Sequence, residues 1–355
     1  MTTAPRPAIR SRRQPACPLC GSPGAPLYRG LRDRFAPGAE EWAVSRCADR
    51  ECALLWLDPM PLEEDIAHAY HEDYYTHQEE GPALTWYRRG FRWLKQGYLA
   101  SRYGYDIEGT PLRQRLLGQA LWLLPLRRAD VDANVMYLPF RPGGRLLEVG
   151  CGSGAVLEIL RDAGWQAEGV DFDPAAAATA RRRGLTVHVG SLDAQKLPAG
   201  RFDVIVVRHV IEHVHDPRGL LRECRRLLRS DGTLALLTPN ADGLGHRTFR
   251  SDAFYVDPPR HLHLFNPRNL RRMVEEAGFS VRCLETHSRR ARDIWIHSRE
   301  IGRTGRAKPR ERPGMAPRAG GLLFEVGQSF LRLVRPGSGD EIFLHAGAAA
   351  HRGGD

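Results

Sequence analysis

The stretch "LLEVGCGSGAVLEIL", residues 146–160, constrains this chain more than any other. It reads as a buried strand, a glycine turn and an amphipathic helix. Gly150, Gly152 and Gly154 let the backbone turn sharply and let a ligand approach it closely. The helix start behind them offers free N–H groups and the positive end of a dipole. The spacing is G-x-G-x-G rather than the G-x-G-x-x-G of dinucleotide-binding turns, and Glu148 sits inside the strand end, where a pyrophosphate would be repelled. An acid there suits a cationic ligand. The second strand ends in "GVDFDP", and Asp171 stands about twenty residues past the glycines, where a carboxylate accepts both hydroxyls of a ribose. "GSLDAQKLP" follows the third strand and points Asp193 to the amino group of a base.

Around this turn the pattern alternates β-branched runs with amphipathic runs, which signals βαβ units and a mainly parallel sheet. Strands are expected at 145–149, 166–171, 185–190, 203–207, 233–239 and 280–287, with helices at about 154–164, 174–183, 217–230 and 267–278. Asp173-Pro174 and Asp216-Pro217 supply an N-cap and a first-turn proline to two of these helices. The organisation read from the chain is a disordered Pro/Arg tail over 1–14, a small cysteine module over 15–80 and a helical linker or cap over 81–140. The α/β core follows over 141–288, then a basic loop or insert over 289–320 and a closing helix and strand over 321–355.

Charge matters next because it bears on partners. Lys and Arg number 52 against 42 Asp and Glu, a net of +10. Only Lys95, Lys196 and Lys308 are lysines, and the arginines come with much Ala, Gly and Pro, so the excess reads as a compositional habit and not a nucleic-acid stripe. The N-terminus lacks an apolar segment of the secretory kind, and the longest apolar run, "LLGQALWLLPL" (116–126), falls short of the ~20 residues that a membrane span needs. That run reads as a core or interdomain helix, with weak membrane-surface contact as the alternative because Arg113, Arg115, Arg127 and Arg128 flank it. A cytoplasmic location with reduced thiols is the expectation.

Two cysteine pairs carry a second signal. Cys17 and Cys20 are spaced C-x2-C, and Cys47 and Cys52 are spaced C-x4-C. Each pair lets one tight turn present two thiolates to one ion, and four thiolates suit a closed, tetrahedral, structural zinc. Cys151, Cys224 and Cys283 are scattered; Cys151 reads as a small residue in the glycine turn and the others as fillers. Tyr74 and Tyr75 read either as a lid over the ligand or as packing between module and core.

In series, "LLEVGCGSG", "GVDFDP", "LPAGRFDVIVVRHVIEHVHDP", "LLRSDGTLALLTPN" and "PPRHLHLFNPRNLRRMVEEAGF" resemble the class I S-adenosylmethionine-dependent methyltransferases over about residues 140–290. The resemblance implies a Rossmann-like seven-stranded, mainly parallel sheet with helices on both faces, its last strand antiparallel and supplied by "DEIFLHA". It implies S-adenosyl-L-methionine as cofactor. Glu148 would lie near the methionine amino end, Gly150, Cys151, Gly152 and Gly154 would line the cofactor, and Asp171 would hold the ribose, with Phe172, Asp193 and His209 in the same binding set. The cysteine segment and "LDPMPLEEDIAHAYHEDYYTH" resemble the N-terminal zinc-ribbon-like modules that precede some bacterial sugar and small-molecule methyltransferases; the second pair there is usually C-x2-C.

"RHVIEHVHDP" (208–217) closes the fourth strand, at the end of a doubly wound sheet where ligands bind. Three readings of it stand open. His213 is a general base with Glu212 beside it as the second catalytic residue; or His209, Glu212 and His213 join His261, or else His263, around a divalent ion; or Glu212 and His213 only position loops. The second reading resembles the E-x-x-E-H…H pattern of ubiquinone-pathway O-methyltransferases and small-RNA 2′-O-methyltransferases, with His209 in place of the first acid. His215 reads as solvent-facing. The expected activity is methyl transfer to a hydroxyl of a sugar, sugar nucleotide or phenol. RNA methylation and a zinc-bearing adaptor that binds cofactor without turnover are the alternatives.

Overall fold

The computed structural model describes residues 7–36, 40–70, 86–105, 109–307 and 314–349. The chain divides into two compact units, one of Met1–Tyr75, Arg208–Arg225 and Leu236–Asp355, the other of Thr76–Val207 and Arg226–Ala235.

In chain order the elements are β1 (Ser11–Arg12), β2 (Gly24–Leu31), β3 (Trp42–Cys47), β4 (Leu55–Leu57), β5 (Met60–Pro61), α1 (Trp86–Tyr103), α2 (Leu112–Gly118) and α3 (Pro125–Asn134). The α/β part runs β6 (Arg145–Val149), α4 (Ala155–Asp162), β7 (Gln166–Asp171), α5 (Pro174–Arg182), β8 (Thr186–Val189), β9 (Phe202–Arg208), α6 (Pro217–Leu227) and β10 (Leu228–Pro239). The chain closes with α7 (Leu244–Phe249), β11 (His263–Leu264), α8 (Pro267–Glu276), β12 (Phe279–His287), α9 (Ala291–Thr304), α10 (Met315–Val334) and β13 (Glu341–Ala348).

A seven-stranded sheet has the order β12-β13-β10-β9-β6-β7-β8. β6 pairs in parallel with β7 and β9, and β7 with β8, while β13 lies antiparallel to β12. The expected α/β architecture and its antiparallel last strand are both present. The strands form where the sequence is apolar and β-branched: Val204, Ile205, Val206 and Val207 of β9 are all buried. α8 begins at a capping box in which Asn266 accepts from Asn269 N and the Asn269 side chain accepts from Asn266 N.

Four boundaries differ from the sequence expectation. Residues 7–14 are not a free tail: β1 pairs with β5, and Asp65 accepts from both the backbone and the guanidinium of Arg10. The cysteine module is not self-contained over 15–80, because its four-stranded sheet, β11-β4-β3-β2, takes one strand from residues 263–264. The basic insert holds a helix: Ala291, Ile294, Ser298 and Ile301 are buried at helical spacing, so α9 forms among many arginines. The expected helix over 217–230 stops at Leu227, where β10 begins. Among the described residues, no helix is long and apolar enough to cross a membrane.

Candidate active site and cysteine cluster

The glycine turn belongs to the second unit. Gly150, Gly152 and Gly154 have φ of 68°, 55° and 82°, a left-handed region that favours glycine at each point. Gly150 N and Cys151 N donate to Val170 O, and Gly154 N donates to Cys151 O. Asp171, buried at the end of β7, accepts from Gly152 N at 2.7 Å and from Asp173 N at 2.9 Å. The turn and the acid are therefore locked together by the backbone. Phe172 beside it is half exposed, Asp193 is exposed at the start of a short 3-10 turn, and Glu148 is buried in β6. A fixed carboxylate at a strand end, an exposed ring and a close-approach glycine turn fit a nucleoside with a cationic tail. Cys151 is buried, and burial, then the charges of Glu148 and Asp171, push its thiol pKa up, so it is a packing residue and not a nucleophile.

The motif after β9 belongs to the first unit. Glu212 is fully buried; Thr238 Oγ1 donates to its Oε2 at 2.9 Å, and His209 Nδ1 lies 3.3 Å from its Oε1. Burial opposes its ionisation, but the His209 hydrogen bond and the neighbouring histidines hold Glu212 down to about 2. His213 Nδ1 lies 3.0 Å from Arg260 O, and His261 Nδ1 lies 2.7 Å from Tyr255 O. A carbonyl only accepts, so both rings carry their proton on Nδ1, and each Nε2 lone pair is left to take a proton or a metal. Burial, then His261, push the His213 pKa down to about 4, which keeps the ring neutral. Tyr70 Oη also lies 3.1 Å from His213 Nδ1. The two rings meet edge to face with centroids 4.5 Å apart.

Glu212, His213 and His261 offer donor atoms that all lie within 4.8 Å of one another. His209 falls outside that group, which corrects its place in the expected ligand set. Its Nδ1 faces Glu212 and its Nε2 faces Glu341 Oε1 at 3.1 Å, so both ring nitrogens are occupied by carboxylates. Burial lowers the His209 pKa, but the bonds to Glu212 and Glu341 overcome it and raise the pKa above the usual histidine range. The residue is a clamp between two carboxylates, held at φ 52°. Glu341 is held in turn by Arg289, at 2.8 Å and 3.1 Å. His263 is buried in β11 and is not part of the donor group, and His215 is bound to Pro61 O at 2.9 Å instead of facing solvent. Tyr74 and Tyr75 lie outside the described residues.

Arg260, whose carbonyl receives His213, has a completely buried side chain. Its guanidinium forks onto Asp257 (2.6 and 2.8 Å) and Asp33 (2.7 and 3.1 Å) and also reaches Ala69 O. The loop is pinned a second time where Leu262 N and His263 N donate to Glu212 O. Arg260, Asp33, Asp257, Thr238, Glu341 and Arg289 were not legible as site residues; only the histidines and Glu212 carry a local pattern.

The four cysteines Cys17, Cys20, Cys47 and Cys52 also converge, with sulfurs within 4.8 Å of one another. Cys17 Sγ lies 3.7 Å from Cys52 Sγ, and Cys20 Sγ lies 3.3 Å from Cys47 Sγ. Sulfurs bound at about 2.3 Å around a tetrahedral zinc sit roughly 3.8 Å apart, so this donor set fits that ion. The bond from Cys52 takes Cys17 down to about 5, and burial first takes Cys47 up to about 11. The Asn266 and Asn269 side chains donate to Cys52 O at 3.2 and 2.8 Å, tying α8 to the knuckle.

Residues 126–284 match the model of a methyltransferase domain family. A protein of Mycolicibacterium smegmatis described as a probable S-adenosylmethionine-dependent methyltransferase is 35% identical over 147 residues, 41% of this chain and 55% of that protein. The ubiquinone biosynthesis O-methyltransferase of Methylococcus capsulatus is 30% identical over 174 residues, 45% of this chain and 72% of that enzyme. The crystal structure of an S-adenosylmethionine-dependent methyltransferase from Mesorhizobium loti aligns with 62% of this chain and 97% of its own, at a TM-score of 0.43 and 18% identity. The chain belongs to the S-adenosylmethionine-dependent methyltransferase family. It spans about half the length of the mycobacterial relatives it matches.

Proposed function

We propose that this chain transfers a methyl group from S-adenosylmethionine to a hydroxyl of a small molecule: a sugar, a sugar nucleotide or a phenol. The carrying observation is the pair of histidines whose Nδ1 protons are committed to backbone carbonyls beside a buried Glu212. An oxygen acceptor must lose a proton as it is methylated, and a neutral imidazole whose Nδ1 proton is committed elsewhere can receive one at Nε2. The relative from Methylococcus capsulatus, an O-methyltransferase by name, supports an oxygen acceptor.

Asp171 would hold the ribose hydroxyls, the glycine turn would lie along the cofactor, and Glu148 would favour its ammonium end. The bound cofactor supplies a methyl group on a positively charged sulfur. That group would suit an in-line displacement by the acceptor oxygen, with a neutral thioether as the leaving group. Nε2 of His213 takes the hydroxyl proton, and Glu212 stabilises the resulting cation. The same Nε2 cannot both take a proton and bind a metal. Glu212, His213 and His261 would hold a divalent ion in the second reading, one that lowers the hydroxyl pKa. The four cysteines would hold a structural zinc.

The test is transfer of a tritiated methyl group from labelled cofactor into a cell extract, with product sorted by size and class. Label in a low-mass sugar or phenol fraction is the expected result. Label in RNA would overturn the acceptor class, and bound cofactor with no transfer would favour an adaptor. Activity that resists chelator rejects the metal and leaves the base reading to the His213→Ala variant; activity lost to chelator and restored by a divalent ion assigns the metal.

A further inference from the structure

α10 is built inside out. Its buried residues are Gly321, Glu325 and Gln328. Gln328 donates to Asp340 Oδ2 at 2.8 Å and to Ser338 O at 3.1 Å, Glu325 pairs with Arg292, and Ser329 meets Ser288 at 3.0 Å. The glycines on that side bring α9 close: a Cβ at Gly320 would lie 2.3 Å from the Trp295 ring. The opposite side carries Leu323, Val326, Phe330, Leu333 and Val334, exposed at 74%, 38%, 67%, 78% and 77%. Their spacing of three or four places them on one stripe. A soluble helix normally buries its apolar stripe and hydrates its polar one, and here the assignment is reversed.

Charge says what covers the stripe. The helix's only acid, Glu325, is buried and paired, whereas Arg318 and Arg335 stand exposed near its two ends. Every exposed charge on the helix and its C-cap is therefore positive. An anionic lipid surface would accept the apolar stripe and neutralise the arginines in one step. The other unit repeats this chemistry on its own. Leu112, Leu116, Trp122 and Leu123 are at least half exposed, Arg113 and Arg127 lie among them, and residues 109–129 contain no acid. That exposure corrects the expectation that 116–126 is a core helix; only Leu121 of its large side chains is fully buried. Exposed tryptophan beside arginine is the composition of a membrane interface.

We propose that α10 is an interfacial helix that lays its outward stripe into the headgroup region of an anionic phospholipid bilayer. The proposal stands apart from the methyltransferase reading, because neither stripe contains a residue of the candidate active site.

The test is co-sedimentation of the full chain with vesicles of equimolar phosphatidylglycerol and phosphatidylcholine, against vesicles of phosphatidylcholine alone. The chain is expected to pellet with the anionic vesicles, less as salt is raised. Phe330→Asp with Leu333→Asp should lower that partition roughly tenfold or more. Both positions are exposed, so unchanged circular dichroism and cofactor binding would show that the variant folds. Arg318→Gln with Arg335→Gln should weaken binding to the anionic vesicles only. Absence of wild-type binding, or equal binding by the Asp variant, would overturn the proposal. So would a concentration-dependent dimer, seen by analytical ultracentrifugation without vesicle binding and dissolved by the Asp variant, which would assign the face to a second copy.

Discussion

The four cysteines and the Glu212–His213–His261 group lie in the same unit and use metal-binding residue types, yet their surroundings differ. The cysteines come from two tight turns and supply four like ligands, which would fill a tetrahedral ion and leave no position open. Outside them, two asparagine amides hold the backbone of Cys52. The second group has three unlike donors and so leaves positions open. Its partners are a carbonyl on each histidine, a hydroxyl and a histidine ring on the glutamate, and a buried guanidinium behind the loop. A holding site needs only its ligands; a reacting site also needs each ligand's tautomer and charge fixed.

The largest expected effect falls on the holding site. Cys47→Ser should take zinc from one equivalent per chain to nearly none, because a structural zinc contributes about 10–16 kcal/mol of apparent binding energy. Elemental analysis reads the metal, and hydrogen exchange should show residues 15–57 opening while residues 145–207 stay protected. Metal-free wild type, purified without chelator, would erase the contrast between the two sites. His213→Ala comes next. It should lower methyl transfer roughly 10²–10⁴-fold with cofactor affinity nearly unchanged, and it should leave the zinc in place. Full activity would make the second cluster a structural strand end like any other.

Legibility followed sequence distance. The glycine turn with Asp171 and each cysteine pair could be read because one short segment carries both the geometry and the chemistry. "RHVIEHVHDP" was legible as a site for the same reason, but its internal roles were not. His209 looked like a ligand until Glu341, 132 residues away, proved to face its second nitrogen. Arg260 was given no role, and its partner Asp33 is 227 residues distant. α9 was misjudged because arginine, proline and glycine outweigh its buried positions in composition, whereas α10 was expected as the closing helix and only its reversed pattern was not.

Arg260→Met probes the support that separates the reacting site from the holding one. The substitution keeps the side chain's bulk but leaves Asp33 and Asp257 buried without their cation, a loss of about 3–5 kcal/mol of stability. Thermal melts would read it, with Asp33→Asn in a double-mutant cycle to test the coupling. A strongly non-additive pair is expected, because Asp33 no longer suffers from the missing charge once it is neutral. Additive losses would mean that Arg260 acts through packing alone.

Asp171→Ala has the smallest expected effect and serves both clusters as a control. It removes the acceptor of Gly152 N and Asp173 N as well as the proposed ribose acceptor, so two consequences must be separated. Cofactor affinity should fall by about 1.5–3 kcal/mol, roughly 10–150-fold in Kd by calorimetry. Asp171→Asn keeps a side-chain carbonyl that can accept one of the backbone bonds and loses only the charge. It should therefore recover most of the stability and little of the affinity, since a charged acceptor binds a hydroxyl more strongly than a neutral one. Zinc content should be unchanged in both variants. Recovery of affinity in Asp171→Asn would reduce Asp171 to a brace for the glycine turn, whereas unchanged affinity in Asp171→Ala would remove it from the cofactor site altogether.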